Sequence, residues 1–230
     1  MTIDNTKTRF SDADWFELIQ NKTVLIGGLG SLGSWLSLYL SRSGAEIIGY
    51  DMDSVDEVNL AGQFYNRNYV EETKATALSN ILHDFSPNSI IEFIADKYVT
   101  GSMACEVMFS CFDNMEARKA MFNNWCNLEN KEIFIDSRLT AETFEVFVVT
   151  PDRIEDYKKT LFTDGEADEL PCSFKSTTHV AAMAAGIMFN CFTNYLTNLK
   201  HGFNIRELPF KIHFSAQLLM LEIEQNEVIV

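Results

Sequence analysis

The feature that most constrains the fold is a glycine-rich turn directly after a short apolar run at 23–27. Gly28, Gly30 and Gly33 fit the spacing G-x-G-x-x-G, and a helix-like segment follows over 34–40. In a strand–turn–helix unit the first glycine permits the tight turn and the second lets backbone N–H groups approach phosphate oxygens. The third glycine lets the helix pack closely on the strand. The pattern predicts a nucleotide site with phosphate at the helix N-terminus.

A second strand is predicted over 45–50, and it ends at Asp51. An acidic side chain at this point of such a unit is well placed to bind a ribose hydroxyl. The glycines alone would also fit a ligand-free turn in an α/β domain. Strand, glycines, helix, second strand and acid together favour a nucleotide site over that alternative.

Strand and helix patterns alternate along the chain up to Asp136, where we expect a strand to end. This alternation predicts an α/β fold with a Rossmann-like, doubly wound, mostly parallel sheet, and 230 residues suggest a single domain over 1–230. After a further strand we expect an exposed polar crossover over about 151–171, a long helix, and a short antiparallel extension at the C-terminus. The remaining predicted helices are 12–20, 71–85, 116–128 and 179–199, and the remaining predicted strands are 89–95, 106–112, 132–135, 143–149, 211–214 and 222–224 with 228–230.

Composition narrows the classes of partner. A net charge of −15 argues against a broad basic face for nucleic acid or an anionic membrane. The five cysteines form no C-x-x-C pair, so no structural zinc is expected, and reduced thiols in the cytoplasm are the simplest interpretation. The start of the chain is polar and unlike a signal peptide, and polar residues interrupt 179–199, which predicts a buried helix rather than a membrane span. We therefore expect a cytoplasmic protein without nucleic-acid or membrane partners.

A second informative block covers 51–63 and contains Asp51, Asp53, Asn59 and Gln63. It resembles the D-x-D-x-V-x-x-x-N-L-x-R-Q segment of the ThiF/MoeB/HesA-type adenylyltransferase family, within the ubiquitin-activating-enzyme-like superfamily. Further segments resemble the family in the same order, from about 24 to 199. They contain Lys74, the stretch 110–118 with Asp113 and Asn114, the stretch 135–138, and the pair Pro171 and Cys172.

The resemblance implies a reaction. Family members adenylate the C-terminal carboxylate of a small protein, so we expect a ubiquitin-like or sulfur-carrier protein, or a related peptide, as substrate. The carboxylate attacks the α-phosphate of ATP and pyrophosphate leaves, which calls for backbone N–H donors, a lysine and Mg²⁺. By resemblance, Asp51 holds the ribose, Lys74 approaches the phosphates, and Asp113 helps to hold Mg²⁺. The implied nucleotide-binding set is Gly28, Gly30, Gly33, Asp51, Asp53, Asn59, Gln63, Lys74, Asp113 and Asn114.

The chain departs from the family pattern at Gly62, where an arginine is usual. Arg67 lies close by in the sequence and is one candidate replacement. Family members also receive an arginine from the N-terminus of a partner subunit, which makes Arg9 a second candidate and suits the homodimers that are usual in the family. For both arginines an exposed side chain without a role is the alternative.

Cys172 is the one cysteine with a predicted chemical role, because a polar loop beside a helix start favours a reactive thiolate. By resemblance it accepts the activated protein as a thioester; a loop cysteine without function is the alternative. His179 is a candidate to pair with it, or a structural helix residue. The other four cysteines are expected in the core.

Two other functions stay open. The chain could be a non-catalytic subunit of a heterodimeric activating enzyme, an interpretation that Gly62 supports. It could also be an NAD-binding oxidoreductase that uses the same glycines, because a fold does not determine function.

Overall fold

The chain forms one sheet of eight strands with helices on both faces, in a computed structural model that describes residues 9–162 and 177–224. The strands are β1 (Thr23–Gly27), β2 (Glu46–Tyr50), β3 (Ile91–Ile94), β4 (Val107–Ser110), β5 (Ile133–Thr140), β6 (Thr143–Val149), β7 (Lys211–Ser215) and β8 (Met220–Glu224). The helices are α1 (Phe16–Ile19), α2 (Ser31–Ser43), α3 (Lys74–Phe85), α4 (Met115–Cys126), α5 (Ile154–Lys158) and α6 (Thr178–His201).

The strand order is β3-β2-β1-β4-β5-β6-β7-β8. The first five strands in this order run parallel, and β6, β7 and β8 are added in antiparallel pairs. The change of direction on either side of β1 creates a crevice beyond the carboxyl ends of β1 and β4. The predicted fold class, a doubly wound sheet with an antiparallel extension, is confirmed.

The apolar residues explain why the sheet is covered on both faces. Along β1, Val24 and Ile26 belong to one hydrophobic cluster and Leu25 belongs to the other. The first cluster packs under α2, α3 and α6, and the second packs under α4 and α5. Parallel strands with both faces buried are apolar throughout, which is why β1 and β4 contain no charged residue. Polar side chains that are accessible to a ligand are therefore expected at the strand ends.

The predicted strand end at Asp136 is wrong. β5 continues to Thr140 because it pairs with β6 in an antiparallel hairpin, in which Asp136 lies opposite Phe147. Asp136 is fully buried and forms ion pairs with Arg118 of α4 and with Arg138, two residues further along the same strand. A buried carboxylate is tolerated inside the strand because two guanidinium groups compensate its charge.

The described part of the crossover, 151–162, contains a short helix, α5, that the sequence pattern did not predict. The Tyr157 ring is fully buried with its centroid 4.6 Å from that of Phe122. The other described residues of the segment are exposed or half-buried, as expected for an exposed crossover. Tyr157 is the exception, because Ile154 and Tyr157 are spaced to face one side of a helix turn. The rest of the crossover, Cys172 and the strand predicted over 228–230 lie outside the described residues.

None of the described helices is long and apolar enough to cross a membrane.

The described cysteines divide into two pairs. Cys111 and Cys191 are buried, as expected, and burial raises the pKa of each thiol to about 12. Cys105 and Cys126 are only half-buried, so the expectation of a core position is wrong for them. Burial still raises the pKa of both thiols, Cys105 to about 11.

Candidate nucleotide-binding site

The ends of β1, β2 and β4 lie in one row across the sheet, next to Asp136 within β5. Gly27 pairs with Tyr50 on one side and with Ser110 on the other, and Ser110 pairs with Asp136. The N–H of Gly28 donates to the Tyr50 carbonyl at 2.8 Å, so the glycine turn starts beside the point where β2 ends. The register therefore brings the glycine turn, Asp51 and the segment before Asp113 to the same edge of the sheet.

Gly28 and Gly33 have the backbone roles that the spacing predicts. Gly28 has a φ of +85°, a conformation that side chains rarely adopt, and this confirms the tight turn. A Cβ at Gly33 would stand 1.9 Å from the Gly28 carbonyl oxygen, which confirms the close packing of α2 on the turn. At Gly30 a Cβ would meet only the Gln63 Nε2, at 3.8 Å, among the described residues. The space beside the start of α2 is therefore open, as a phosphate would require.

Gly27 is a further glycine that the spacing did not single out. A Cβ there would lie 2.3 Å from the Phe112 ring and 2.6 Å from the Met121 sulfur. The end of β1 and the β4–α4 loop consequently approach each other closely. This contact holds the glycine turn against the loop that carries Asp113.

Asp51 is held by the backbone around it. One carboxylate oxygen accepts the N–H of Leu29, in the glycine turn, at 2.7 Å. The other accepts the N–H of Asp53 at 2.9 Å and lies 3.7 Å from the Lys74 ammonium. Burial raises the pKa of Asp51, and the Lys74 charge opposes that rise. The carboxylate is therefore fixed in orientation at the end of β2.

Lys74 is the first residue of α3 and is only 6% exposed. Its ammonium donates to the Asp53 carboxylate at 2.8 Å, and its N–H donates to the Asp53 carbonyl at 2.9 Å. Thr73 caps α3 by accepting the N–H of Thr76. The fold thus places a compact positive charge beside the glycine turn, with the two carboxylates of the 51–53 segment around it.

Gln63 carries an unused polar group. Its Oε1 is buried and has no hydrogen-bond partner within 9–162 and 177–224. Buried amide oxygens are almost always paired, so this one is an exception. The Gln63 atom beside the open space at Gly30 is the amide nitrogen, Nε2. Asn59 is engaged locally, because its Oδ1 accepts the N–H of Asp56 in a capping box. Gly62 is buried, and its carbonyl accepts the indole N–H of Trp35 at 3.2 Å.

Asp113 and Asn114 lie in the loop between β4 and α4. Asn114 caps α4 by accepting the N–H of Ala117 at 2.8 Å, and Asp113 is exposed. Arg118 donates to the carbonyls of Phe112 and Ser137, which fixes the loop against β5. Among the described residues no group of three or more His, Cys, Asp or Glu side chains could hold a metal ion. Asp113 is a single accessible carboxylate.

The two candidate arginines are not brought into this cluster by any contact within the described part of the chain. Arg9 is exposed, just before the ring of Phe10 that packs on Trp15 at 5.8 Å. Arg67 is exposed on a short 3-10 helix, Arg67–Tyr69. His179 is exposed in the first turn of α6, and Cys172 lies outside the described residues.

Two supporting side chains were missed by the sequence analysis. The Tyr65 hydroxyl donates to the Leu29 carbonyl at 2.7 Å, and the Ser34 hydroxyl of α2 accepts the N–H of Phe64 at 2.9 Å. Both join the 62–65 segment to the glycine turn and its helix. A tyrosine two residues after Gln63 needs a hydrogen-bond partner for its hydroxyl where it is buried, but the sequence does not identify that partner.

Several curated proteins are similar to part of this chain. Ubiquitin-like modifier-activating enzyme 5 of Arabidopsis thaliana is 27% identical over 135 residues, which are 49% of this chain and 31% of that protein. The protein of the same name from Caenorhabditis elegans is 32% identical over 123 residues, 46% of this chain and 29% of that protein. The matched part thus covers about a third of the length of these relatives.

Solved structures have a similar fold. E. coli MccB with succinimide superimposes with a TM-score of 0.76 at 17% identity, covering 98% of this chain and 72% of that one. PaaA gives a TM-score of 0.73 at 15% identity, with coverages of 92% and 66%. E. coli MccB with ATP gives 0.73 at 17% identity, with coverages of 99% and 73%. The model of the ThiF family matches residues 5–220, most of the sequence, and the chain therefore belongs to the ThiF family.

Proposed function

We propose that this chain, as a single adenylation domain over 1–230, catalyses the ATP-dependent adenylation of a C-terminal carboxylate. The substrate is a ubiquitin-like or sulfur-carrier protein, or a related peptide. One observation carries the proposal: in a ThiF-family chain, the glycine turn, Asp51 and Lys74 meet at one edge of the sheet, joined by contacts of 2.7–3.7 Å. A simple glycine-rich turn requires neither a buried lysine nor a fixed carboxylate beside it.

The site residues fit ATP by their chemistry. The backbone N–H groups at the start of α2 and the Lys74 ammonium are donors suited to phosphate oxygens. The open space beside Gly30 leaves room for the ligand, and the Gln63 Nε2 at its side is a hydrogen-bond donor. Asp51, fixed by two backbone donors, retains accepting capacity for ribose hydroxyls. Asp53 supports these groups from the segment after β2, and Asn114 supports them from the loop between β4 and α4.

In the proposed reaction a carboxylate oxygen of the substrate forms a bond to the α-phosphorus, and the bond to pyrophosphate breaks. Negative charge builds on phosphate oxygens in the transition state, so positioned donors accelerate the step. Lys74 supplies one such charge and Asp113 contributes a ligand to Mg²⁺. Mg²⁺ commonly takes one or two carboxylates together with phosphate oxygens, so a lone exposed aspartate suits it.

The positive charge that Gly62 does not supply is assigned to Arg9 of a second copy in a homodimer, with Arg67 as the alternative. Gly62 has no side chain, so in this proposal another residue supplies the charge. We also propose a cytoplasmic location, and thioester formation on Cys172 after adenylation.

Calorimetry with ATP·Mg²⁺ and with NAD tests the proposal and separates it from the oxidoreductase alternative. We expect binding of ATP in preference to NAD, because Lys74 and Gln63 extend the phosphate-facing set beyond the glycines. Binding of NAD without binding of ATP would overturn the adenylation proposal.

Gly62 also favours a second candidate, a non-catalytic subunit of a heterodimer. Such a subunit would keep the fold but would form no adenylate with any substrate, even where it binds ATP. The two candidates therefore differ in pyrophosphate exchange rather than in nucleotide binding.

A further inference from the structure

One buried hydroxyl connects two elements of the candidate site. Tyr65 is 8% exposed, and its hydroxyl donates to the Leu29 carbonyl, within the glycine turn, at 2.7 Å. The same oxygen lies 3.5 Å from the Lys74 carbonyl, at the start of α3. The hydroxyl has one proton, so the shorter contact is the hydrogen bond and the longer one is a packing contact.

The neighbours of this hydroxyl are the groups that face the ligand. The N–H of Leu29 donates to Asp51, so Leu29 is held through its carbonyl by Tyr65 and through its N–H by Asp51. Burial and the nearby Asp51 charge raise the pKa of Tyr65 well above its usual value, which keeps the hydroxyl protonated at any working pH. The donor is thus permanent.

From this geometry we infer that Tyr65 is a positioning residue for nucleotide binding, which holds the glycine turn in place relative to Asp51 and Lys74. The inference rests on the proposed function, because it assumes that the turn binds phosphate. Tyr65 touches none of the groups proposed to react. Its loss should therefore weaken ground-state and transition-state binding equally, which raises KM for ATP and leaves kcat nearly unchanged.

The test compares Tyr65→Phe with Tyr98→Phe. Tyr98 is a matched control, since it is 2% exposed and its hydroxyl donates to the Met103 carbonyl at 2.8 Å, in the other hydrophobic cluster. Both substitutions remove one buried hydroxyl that donates to a carbonyl. The Tyr98 hydroxyl also accepts the Asn124 Nδ2 at 3.0 Å, so Tyr98→Phe removes at least as many hydrogen bonds as Tyr65→Phe. We expect Tyr65→Phe to raise Kd and KM for ATP by about fivefold to tenfold, the effect of one hydrogen bond, while Tyr98→Phe leaves both unchanged.

A second readout needs no nucleotide. In the ligand-free protein, amide hydrogen exchange at Leu29 should be about fivefold faster in Tyr65→Phe than in wild type or Tyr98→Phe, because the turn opens more often. Unchanged exchange and unchanged ATP affinity in a folded Tyr65→Phe would overturn the inference while leaving the proposed function intact. A wild-type chain that binds no ATP would overturn both.

Discussion

At the scale of single residues, the central feature is one ammonium held between two carboxylates. Lys74 is nearly buried, Asp51 is fixed by backbone donors, and Asp53 is more than half exposed, at 57% of its side chain. The exposed ion pair of Lys74 with Asp53 contributes little to stability. The buried contact of Lys74 with Asp51 lowers the free-energy cost of burying the Asp51 charge. The atoms that compensate the buried charge are therefore the same atoms that we propose to bind the ligand.

Lys74→Met tests both roles of that ammonium. We expect the rate of ATP–pyrophosphate exchange to fall by at least about a hundredfold, because a donor to the developing phosphate charge is lost. Lys22→Met is the matched control, since Lys22 is also largely buried and paired with one carboxylate, that of Glu132, but lies at the opposite end of β1. Activity at the wild-type level in a folded Lys74→Met would remove the lysine from the site.

The same variant has a predicted pH dependence. The folded-state pKa of Asp51 is raised, so the folded state binds a proton more tightly than the unfolded chain and gains stability as pH falls toward that pKa. Without Lys74 the pKa rises further. Lys74→Met should therefore lose about 2 kcal/mol of unfolding free energy near neutral pH, and less as pH falls toward the raised pKa of Asp51. Urea unfolding at several pH values measures this, and a deficit that grows on acidification would contradict it.

Asp113→Asn should abolish adenylate formation and leave stability unchanged, because the side chain is exposed and its one hydrogen bond within the described residues is from Asn114, at 3.4 Å. The loss follows from the weaker attraction of a neutral amide for Mg²⁺. Glu116→Gln, in the first turn of α4 and equally exposed, is the control. Adenylate formed at the wild-type rate by Asp113→Asn would exclude it as the metal ligand.

Cys172→Ser should leave ATP–pyrophosphate exchange nearly intact, because adenylation precedes attack by a thiol. It should remove any dithiothreitol-sensitive conjugate with the substrate protein. Cys191→Ser is the control, since the Cys191 thiol is buried and burial raises its pKa to about 12. A conjugate that persists in Cys172→Ser would assign the nucleophile to another residue.

At the scale of elements, the packing of α2 on the glycine turn decides where the phosphate-binding N–H groups lie. Gly33→Ala would place a methyl group 1.9 Å from the Gly28 carbonyl oxygen, so α2 must move away from β1. Gly186→Ala in α6 places the methyl group 4.0 Å from the Tyr39 ring, an ordinary contact. Both glycines lie within helices, but they differ in the space around them.

This pair gives a stability prediction. Gly33→Ala should lower the unfolding free energy by about 3 kcal/mol through overpacking. Gly186→Ala should leave it unchanged or raise it by up to about 1 kcal/mol, because alanine is the better helix former. Urea denaturation of both variants measures the difference. Equal stabilities would mean that α2 shifts without strain and that the close approach is not required.

The elements that could be predicted from the sequence are those whose pattern is local. The β1–α2–β2 unit was predicted because the apolar run, the glycine spacing and the strand-end acid lie within about thirty residues. The end of β5 was not, because the strand continues by pairing with β6 and the buried Asp136 charge is compensated by Arg118 of α4, contacts that only the fold brings together. Tyr65 was missed for the same reason, since its partner Leu29 is 36 residues away.

At the scale of the whole molecule, the sheet consists of two regions. The ends of β1, β2 and β4 gather the residues proposed to bind the nucleotide, while β6, β7 and β8 extend the sheet away from them. The family match covers both regions, whereas the curated relatives match less than half of the chain. The identity of the substrate therefore has to come from an assay that uses the whole chain.

ATP–pyrophosphate exchange, measured across candidate small proteins that end in an exposed Gly-Gly, tests the central claim most directly. Exchange requires that an acyl adenylate forms and reverses, so neither ATP binding alone nor an NAD site produces it. We expect exchange that depends on one such protein and disappears in Lys74→Met. A wild-type chain that binds such a protein and ATP, yet gives no exchange above the Lys74→Met background, would contradict the assignment of this chain as an adenylating enzyme.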